Sequence, residues 1–129
     1  MRLVKHEDHR GKLTKLVLED SDFIPAEIFW ISGVPESTSR GGHAHIECCQ
    51  EIILVSGVVG VSLENSLEST YRVLENPGES IQIPQMTWSE QTFLQPGTEI
   101  VVLSSQKYKE KDYIRNKDEY RRLAQEKRF

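Results

Sequence analysis

An antiparallel all-β jelly roll closed by a short C-terminal helix is the fold class this sequence predicts, and three observations carry it. Short apolar runs recur along most of the chain, turn residues punctuate them, and helical patterning is confined to the end. The runs cover 13–18, 26–32, 51–56, 58–64, 70–74, 80–83, 87–93 and 99–105, each rich in Val, Ile, Leu, Phe or Trp. Between them stand Gly33-Val34-Pro35, Gly57, Asn65-Ser66, Asn76-Pro77-Gly78 and Gln95-Pro96-Gly97, residues that favour tight turns. Asn116, with Glu119 three positions on, reads as a capping box opening a helix that runs to about Lys127.

Composition bounds the rest. With 129 residues and 37% hydrophobic content, the chain suits one domain spanning 1–129 and is too short for a second of ordinary size. No apolar run approaches the roughly 20 residues that span a bilayer, and Met1-Arg2-Leu3-Val4-Lys5 leads into charge, so neither membrane segment nor signal peptide is expected. The protein is therefore expected in the cytoplasm. Cys48 and Cys49 are adjacent, which strains a mutual disulfide, and reduced thiols are expected. The net charge of −4 is unevenly placed: from Lys107 onward nine Lys or Arg face five acids, leaving an acidic body. That balance argues against a nucleic-acid partner.

The motif that carries chemistry is Arg40-Gly41-Gly42-His43-Ala44-His45 with Gln50 and Gly57 downstream. Its spacing resembles the first metal-binding motif of the cupins, in which two histidines share a strand and a glutamate precedes a glycine turn. Here Gln50 stands at the glutamate position. The second cupin motif is legible as Gly78 and Pro84, with Ser89 where a third histidine would stand. An amide and a hydroxyl are weaker donors than carboxylate and imidazole, so a cupin barrel without a metal or other cofactor is expected.

Four segments together resemble a narrower family, the WxcM-like sugar-nucleotide 3,4-ketoisomerases. These are Asp8-His9-Arg10-Gly11-Lys12-Leu13, the Arg40 to His45 motif with Gln50, Asn76-Pro77-Gly78 through Ile83-Pro84 to Trp88, and Tyr108-Lys109-Glu110-Lys111-Asp112-Tyr113-Ile114-Arg115. The resemblance spans nearly the whole chain. It implies conversion of a dTDP-4-keto-6-deoxyhexose to its 3-keto isomer, in a homodimer with N-terminal strands exchanged about a hinge near Pro25. By the same resemblance, the product feeds deoxyamino-sugar and surface-polysaccharide synthesis.

The residues suit that chemistry. Moving the ketone requires taking a proton from C3 and returning one to C4 through an enediol, work for a group titrating near pH 6.5. His43 and His45, two apart on a strand, face the same side, taken here as the barrel interior. Either suits the proton-carrying role, with the other holding the enediolate oxygen. Arg40, read as lying just before that strand, suits bidentate capture of a diphosphate. Arg10 is a second substrate candidate or the ion-pair partner of Asp8. Gln50 is expected to hydrogen-bond a histidine or the sugar. Trp88 is either barrel wall or a stacking surface for base or sugar, the core being favoured for a lone aromatic on a strand; Tyr113 and Arg115 divide in the same way between structure and substrate, with structure favoured.

Four departures from the family bear on substrate identity: Ser89 after the tryptophan, Glu27 where a basic residue is usual, and Phe29 and Trp30 in place of tyrosines. They keep open a non-catalytic nucleotide-sugar-binding cupin and an isomerase or epimerase for a different nucleotide sugar. A metal-dependent cupin using His43, His45 and Glu51 or Cys49 ranks last, because Glu51 alternates away from the histidine side.

Overall fold

Two-residue alternation decides which side chains each strand buries, and in two strands it decides that both faces are buried. The computed structural model describes residues 2–19 and 22–127. Its strands are β1 (Arg2–Asp8), β2 (Gly11–Val17), β3 (Glu27–Ile31), β4 (Thr38–His45), β5 (Gln50–Ser56), β6 (Val59–Glu64), β7 (Ser69–Leu74), β8 (Ser80–Ile83), β9 (Trp88–Phe93), β10 (Glu99–Ser104) and β11 (Tyr113–Ile114), followed by helix α1 (Lys117–Lys127). All pairings are antiparallel. A four-stranded sheet, β3-β10-β5-β8, faces a five-stranded sheet, β11-β4-β9-β6-β7, and β1-β2 form a separate hairpin. This is the all-β cupin jelly roll expected, with its short C-terminal helix.

The core lies between the sheets. Ile52, Leu54, Ile83, Ile100 and Val102 from one sheet meet Val59, Val61, Leu74 and Phe93 from the other, and each fully buried side chain of this size contributes about 1.5–3 kcal/mol. β5 and β10 are unbroken apolar runs because their other face is covered too. Ile53, Val55, Val101 and Leu103 pack beneath Leu3, Leu16 and Phe23, so the β1-β2 hairpin roofs the four-stranded sheet. Lys5 Nζ donates to the Val55 carbonyl at 2.6 Å. β1 is a strand that charge conceals in the sequence: it is held by pairing with β2, and one apolar residue, Leu3, anchors it.

Helix α1 roofs the five-stranded sheet. Tyr120 and Ala124 pack on Ala44, Met86, Trp88 and Ile114, while the Tyr120 hydroxyl lies 2.9 Å and 2.8 Å from the Glu64 and Met86 carbonyls. The helix begins as predicted, with the Glu119 amide donating to Asn116 Oδ1 at 2.9 Å. At the β5-β6 turn, Gly57 has φ +81°, and a Cβ there would fall 2.3 Å from Thr98 Oγ1, so glycine is required. Among the described residues no helix is long and apolar enough to cross a membrane.

Candidate active site

A β-bulge builds the histidine strand. Along β4, Arg40 pairs with Gln91 and Gly41 with Glu90, but His43 pairs with Ser89, so one residue is extra between Gly41 and His43. Arg40 and His43 are three apart and would face opposite sides of a regular strand; the bulge returns both to the barrel side. Gly41 and Gly42 make the bulge possible with φ of +88° and +75°. At Gly41 a Cβ would sit 2.9 Å from both the Ser89 carbonyl and Gln91 Oε1. The two glycines of the motif thus aim the histidine strand.

His45, two residues on, is held from behind. Its Nδ1 lies 3.0 Å from Asp112 Oδ2, and both side chains are buried. Asp112 sits in a single 3-10 turn, Glu110–Asp112, and also accepts the amides of Glu47 at 2.7 Å and Cys48 at 3.2 Å. A carboxylate accepts, so Nδ1 carries the proton and Nε2 keeps its lone pair. That Nε2 is buried and has no hydrogen-bond partner among the described residues. Tyr113 closes over both rings, its centroid 4.3 Å from His45 and 5.0 Å from His43, and the two imidazoles meet edge to face at 5.0 Å.

Both histidines are biased toward the neutral form. Burial pushes His43 down to about 4, helped by His45 and the Arg115 cation. Burial also lowers His45, but the hydrogen bond and charge of Asp112 oppose it. Arg115 lies 4.3 Å from the Tyr113 ring centre and forms a two-armed pair with Glu110 at 2.9 and 3.0 Å. In front of His43 opens a cavity of about 320 Å³, lined by Phe29, Arg40, Gln50, Ile52, Gln91 and Tyr113 among others. Arg40 is exposed at this cavity and its side chain makes no hydrogen bond or ion pair among the described residues, leaving its guanidinium free for an anion.

Residues 1–125 match the family model described as FdtA: WxcM-like, C-terminal. The chain belongs to this family. Along 118 residues, 89% of the chain and 84% of the relative, this WxcM-like chain is 27% identical to the TDP-4-oxo-6-deoxy-alpha-D-glucose-3,4-oxoisomerase of Aneurinibacillus thermoaerophilus. It is similar to QdtA, a sugar 3,4-ketoisomerase from Thermoanaerobacterium thermosaccharolyticum solved in complex with TDP, at 29% identity and TM-score 0.83 over 99% of this chain and 94% of that one. A 3,4-ketoisomerase from Helicobacter canadensis matches at 29% identity and TM-score 0.81, over 96% and 94% of the two chains.

In this WxcM-like site, His43, Arg40 and Gln50 reach the cavity as the sequence suggested, and His45 lies just behind. Arg40 is within β4, not before it. Gln50 lines the cavity but bonds to neither histidine, its Nε2 donating to Ser104 Oγ at 2.9 Å. Trp88 is a correction: it alternates to the opposite face of β9, only 5% exposed, and packs on Tyr120 beneath α1. Arg10 sits in the β1-β2 turn, ion-paired to Asp8 at 2.8 Å and outside the residues lining the cavity. Of the departures, Phe29 lines the cavity and Ser89 is buried, taking a hydrogen bond from Gln91 Nε2. Trp30 faces outward, and Glu27 Oε1 accepts the Tyr108 amide, so neither reaches the cavity. Asp112 and Tyr113 are the site residues that composition and spacing missed; the family-like segment 108–115 was their signal.

The cupin metal positions do not fit an ion. The glutamate and third-histidine positions hold Gln50, whose amide donates to Ser104, and Ser89, whose hydroxyl takes a bond from Gln91, so neither supplies a carboxylate or an imidazole there. Glu51 lies on the outer face with Ile53, and Cys49 lines a different cavity with Phe23 and Pro84, so neither joins the histidines.

Proposed function

We propose that this protein is a TDP-sugar 3,4-ketoisomerase in which His45 carries the proton. The observation behind this reading is the buried His45–Asp112 pair, which leaves Nε2 as an unpartnered base. Nε2 takes the C3 proton, and the bonding pair of C3–H becomes the C3=C4 bond of an enediolate with negative charge on O4. The O3 proton passes to O4, the imidazolium returns a proton to C4, and the C3 ketone results. A charged His45 is stabilised by Asp112, whereas a charged His43 would face burial and Arg115 without a counterion. The Asp112 contact supports His45 as the carrier in this reading, and His43, which lines the cavity, stands beside the sugar. Arg40 grips the diphosphate at the cavity mouth, and Phe29 and Tyr113 flank the sugar.

The enzyme acts as a cytoplasmic homodimer in this reading. Free thiols at Cys48 and Cys49 support the compartment. Ile28 and Trp30, 55% and 53% exposed, support the dimer as apolar residues awaiting a cover. The contacts of Leu3 and Leu16 with the four-stranded sheet serve equally for a hairpin exchanged with the partner, which would present Arg10 to a neighbouring site. Light scattering after size exclusion tests it, and a mass near 14.8 kDa refutes the dimer.

Proton NMR of the protein with dTDP-4-keto-6-deoxyglucose in deuterated water tests the activity. Deuterium entering the sugar with a 3-keto product is expected. Line broadening with no exchange would instead make the protein a nucleotide-sugar-binding cupin.

A further inference from the structure

Three different ligand types converge behind the active site. His45 ends β4, Cys48 lies in the β4-β5 connection, and Asp112 lies in the 3-10 turn that precedes β11. One ligand atom from each falls within 4.8 Å of the others, and all three side chains are buried. They line a small cavity of about 10 Å³, close to the space one water-sized particle occupies. Nitrogen and oxygen donors of a tetrahedral zinc site stand roughly 3.3 Å apart and sulfur roughly 3.6 Å from each, given bonds of about 2.0–2.3 Å. The Nδ1–Oδ2 separation of 3.0 Å is already near that value, so chiefly the Cys48 sulfur has to move inward.

We infer that His45, Cys48 and Asp112 form an inhibitory site for a thiophilic divalent cation such as Zn²⁺. The set is distinct from the cupin positions, since it uses Nδ1 and lies on the side of His45 away from Nε2. One imidazole, one thiolate and one carboxylate suit zinc or cobalt and do not suit calcium or magnesium, which take oxygen ligands. Binding balances simply. The thiol loses its proton to solvent, the metal takes the Nδ1 lone pair, and the imidazole proton moves from Nδ1 to Nε2. With a hydrogen on Nε2 the ring can no longer accept the C3 proton, so occupancy silences the base. The metal-binding claim stands on geometry alone, and the inhibition claim rests on the isomerase reading.

Cobalt is the probe. Chelator-treated full-length protein titrated with Co²⁺ is expected to develop thiolate-to-cobalt absorption that saturates at one equivalent, unchanged in Cys49→Ser and absent in Cys48→Ser. Zn²⁺ is expected to inhibit turnover, with the inhibitory concentration raised on the order of 100-fold in Cys48→Ser, whose metal-free activity stays at wild-type level. Cys48→Ala, checked by circular dichroism, guards against a folding artefact of the serine. No thiolate band in the wild type, or a band that survives in Cys48→Ser, overturns the site while leaving the isomerase intact. A band without any isomerase activity on TDP-sugars leaves the site and removes the proposed function.

Discussion

Nδ1 of His45 stands 3.0 Å from Oδ2 of Asp112, with the two side chains only 7% and 9% exposed. Burial makes the pair directional. It holds the ring in one tautomer and supplies the negative charge that a protonated ring needs in a low-dielectric interior.

Asp112→Asn is expected to keep the fold and lower kcat on the order of 10²–10⁴-fold, because an amide no longer selects the Nδ1–H tautomer or stabilises the imidazolium. Steady-state kinetics with a circular dichroism control checks this. A kcat within threefold of wild type would remove Asp112 from the mechanism.

Arg40→Ala should act on binding. Losing charge-assisted bonds to a diphosphate, at about 1.5–3 kcal/mol, raises KM roughly 10- to 150-fold with little change in kcat. Isothermal titration with TDP gives the same number directly, and unchanged affinity would place the diphosphate elsewhere.

Gly41→Ala is expected to cost stability and activity together. The added Cβ meets the Ser89 carbonyl and Gln91 at 2.9 Å, and φ of +88° strains any other residue. A loss on the order of 1–3 kcal/mol follows from that strain, read as a lower urea midpoint. Turnover falls as well, since relaxing the bulge turns Arg40 and His43 out of register.

Trp88→Phe should leave KM for the nucleotide sugar unchanged, since the indole lies beneath α1. Trp88→Ala should cost about 3–5 kcal/mol through the cavity left against Tyr120 and Met86. A KM increase in the phenylalanine variant would show that the tryptophan reaches substrate after all.

Acid should destabilise the protein before its carboxylates titrate. His43 is pushed down to about 4 when folded and returns to about 6.5 when unfolded. Between those values the unfolded chain binds the extra proton, so stability rises with pH through the window and is lost as pH falls from about 6.5 toward 4. His45 is lowered too and adds in the same direction. Urea midpoints across that range test the slope, which His43→Asn should flatten.

Most strands were readable because strand burial has a period of two and turns need Gly, Pro or Asn. Ser80–Ile83 was placed to the residue, and β2, β3, β5, β6, β7, β9 and β10 within two residues at either end. β1 was not, since its stability comes from pairing with β2 and from the sheet it covers. The His-Ala-His pair sharing one face of a strand was legible, whereas Arg40 was read as preceding the strand that in fact contains it, and the glycines after it prove to be a bulge.

Contacts between distant segments belong to the fold alone. Asp112 is 67 positions from His45, and no local pattern reports that a 3-10 turn will set its carboxylate behind that ring. Trp88 illustrates the converse: the sequence allowed it as barrel wall or as a stacking surface for substrate, and alternation along β9 placed Ser89 inside and Trp88 beneath the helix. Local periodicity fixes which residues share a face. Which face meets the cavity, and which distant side chain completes a buried polar group, is decided by packing two sheets, a hairpin and a helix around one interior.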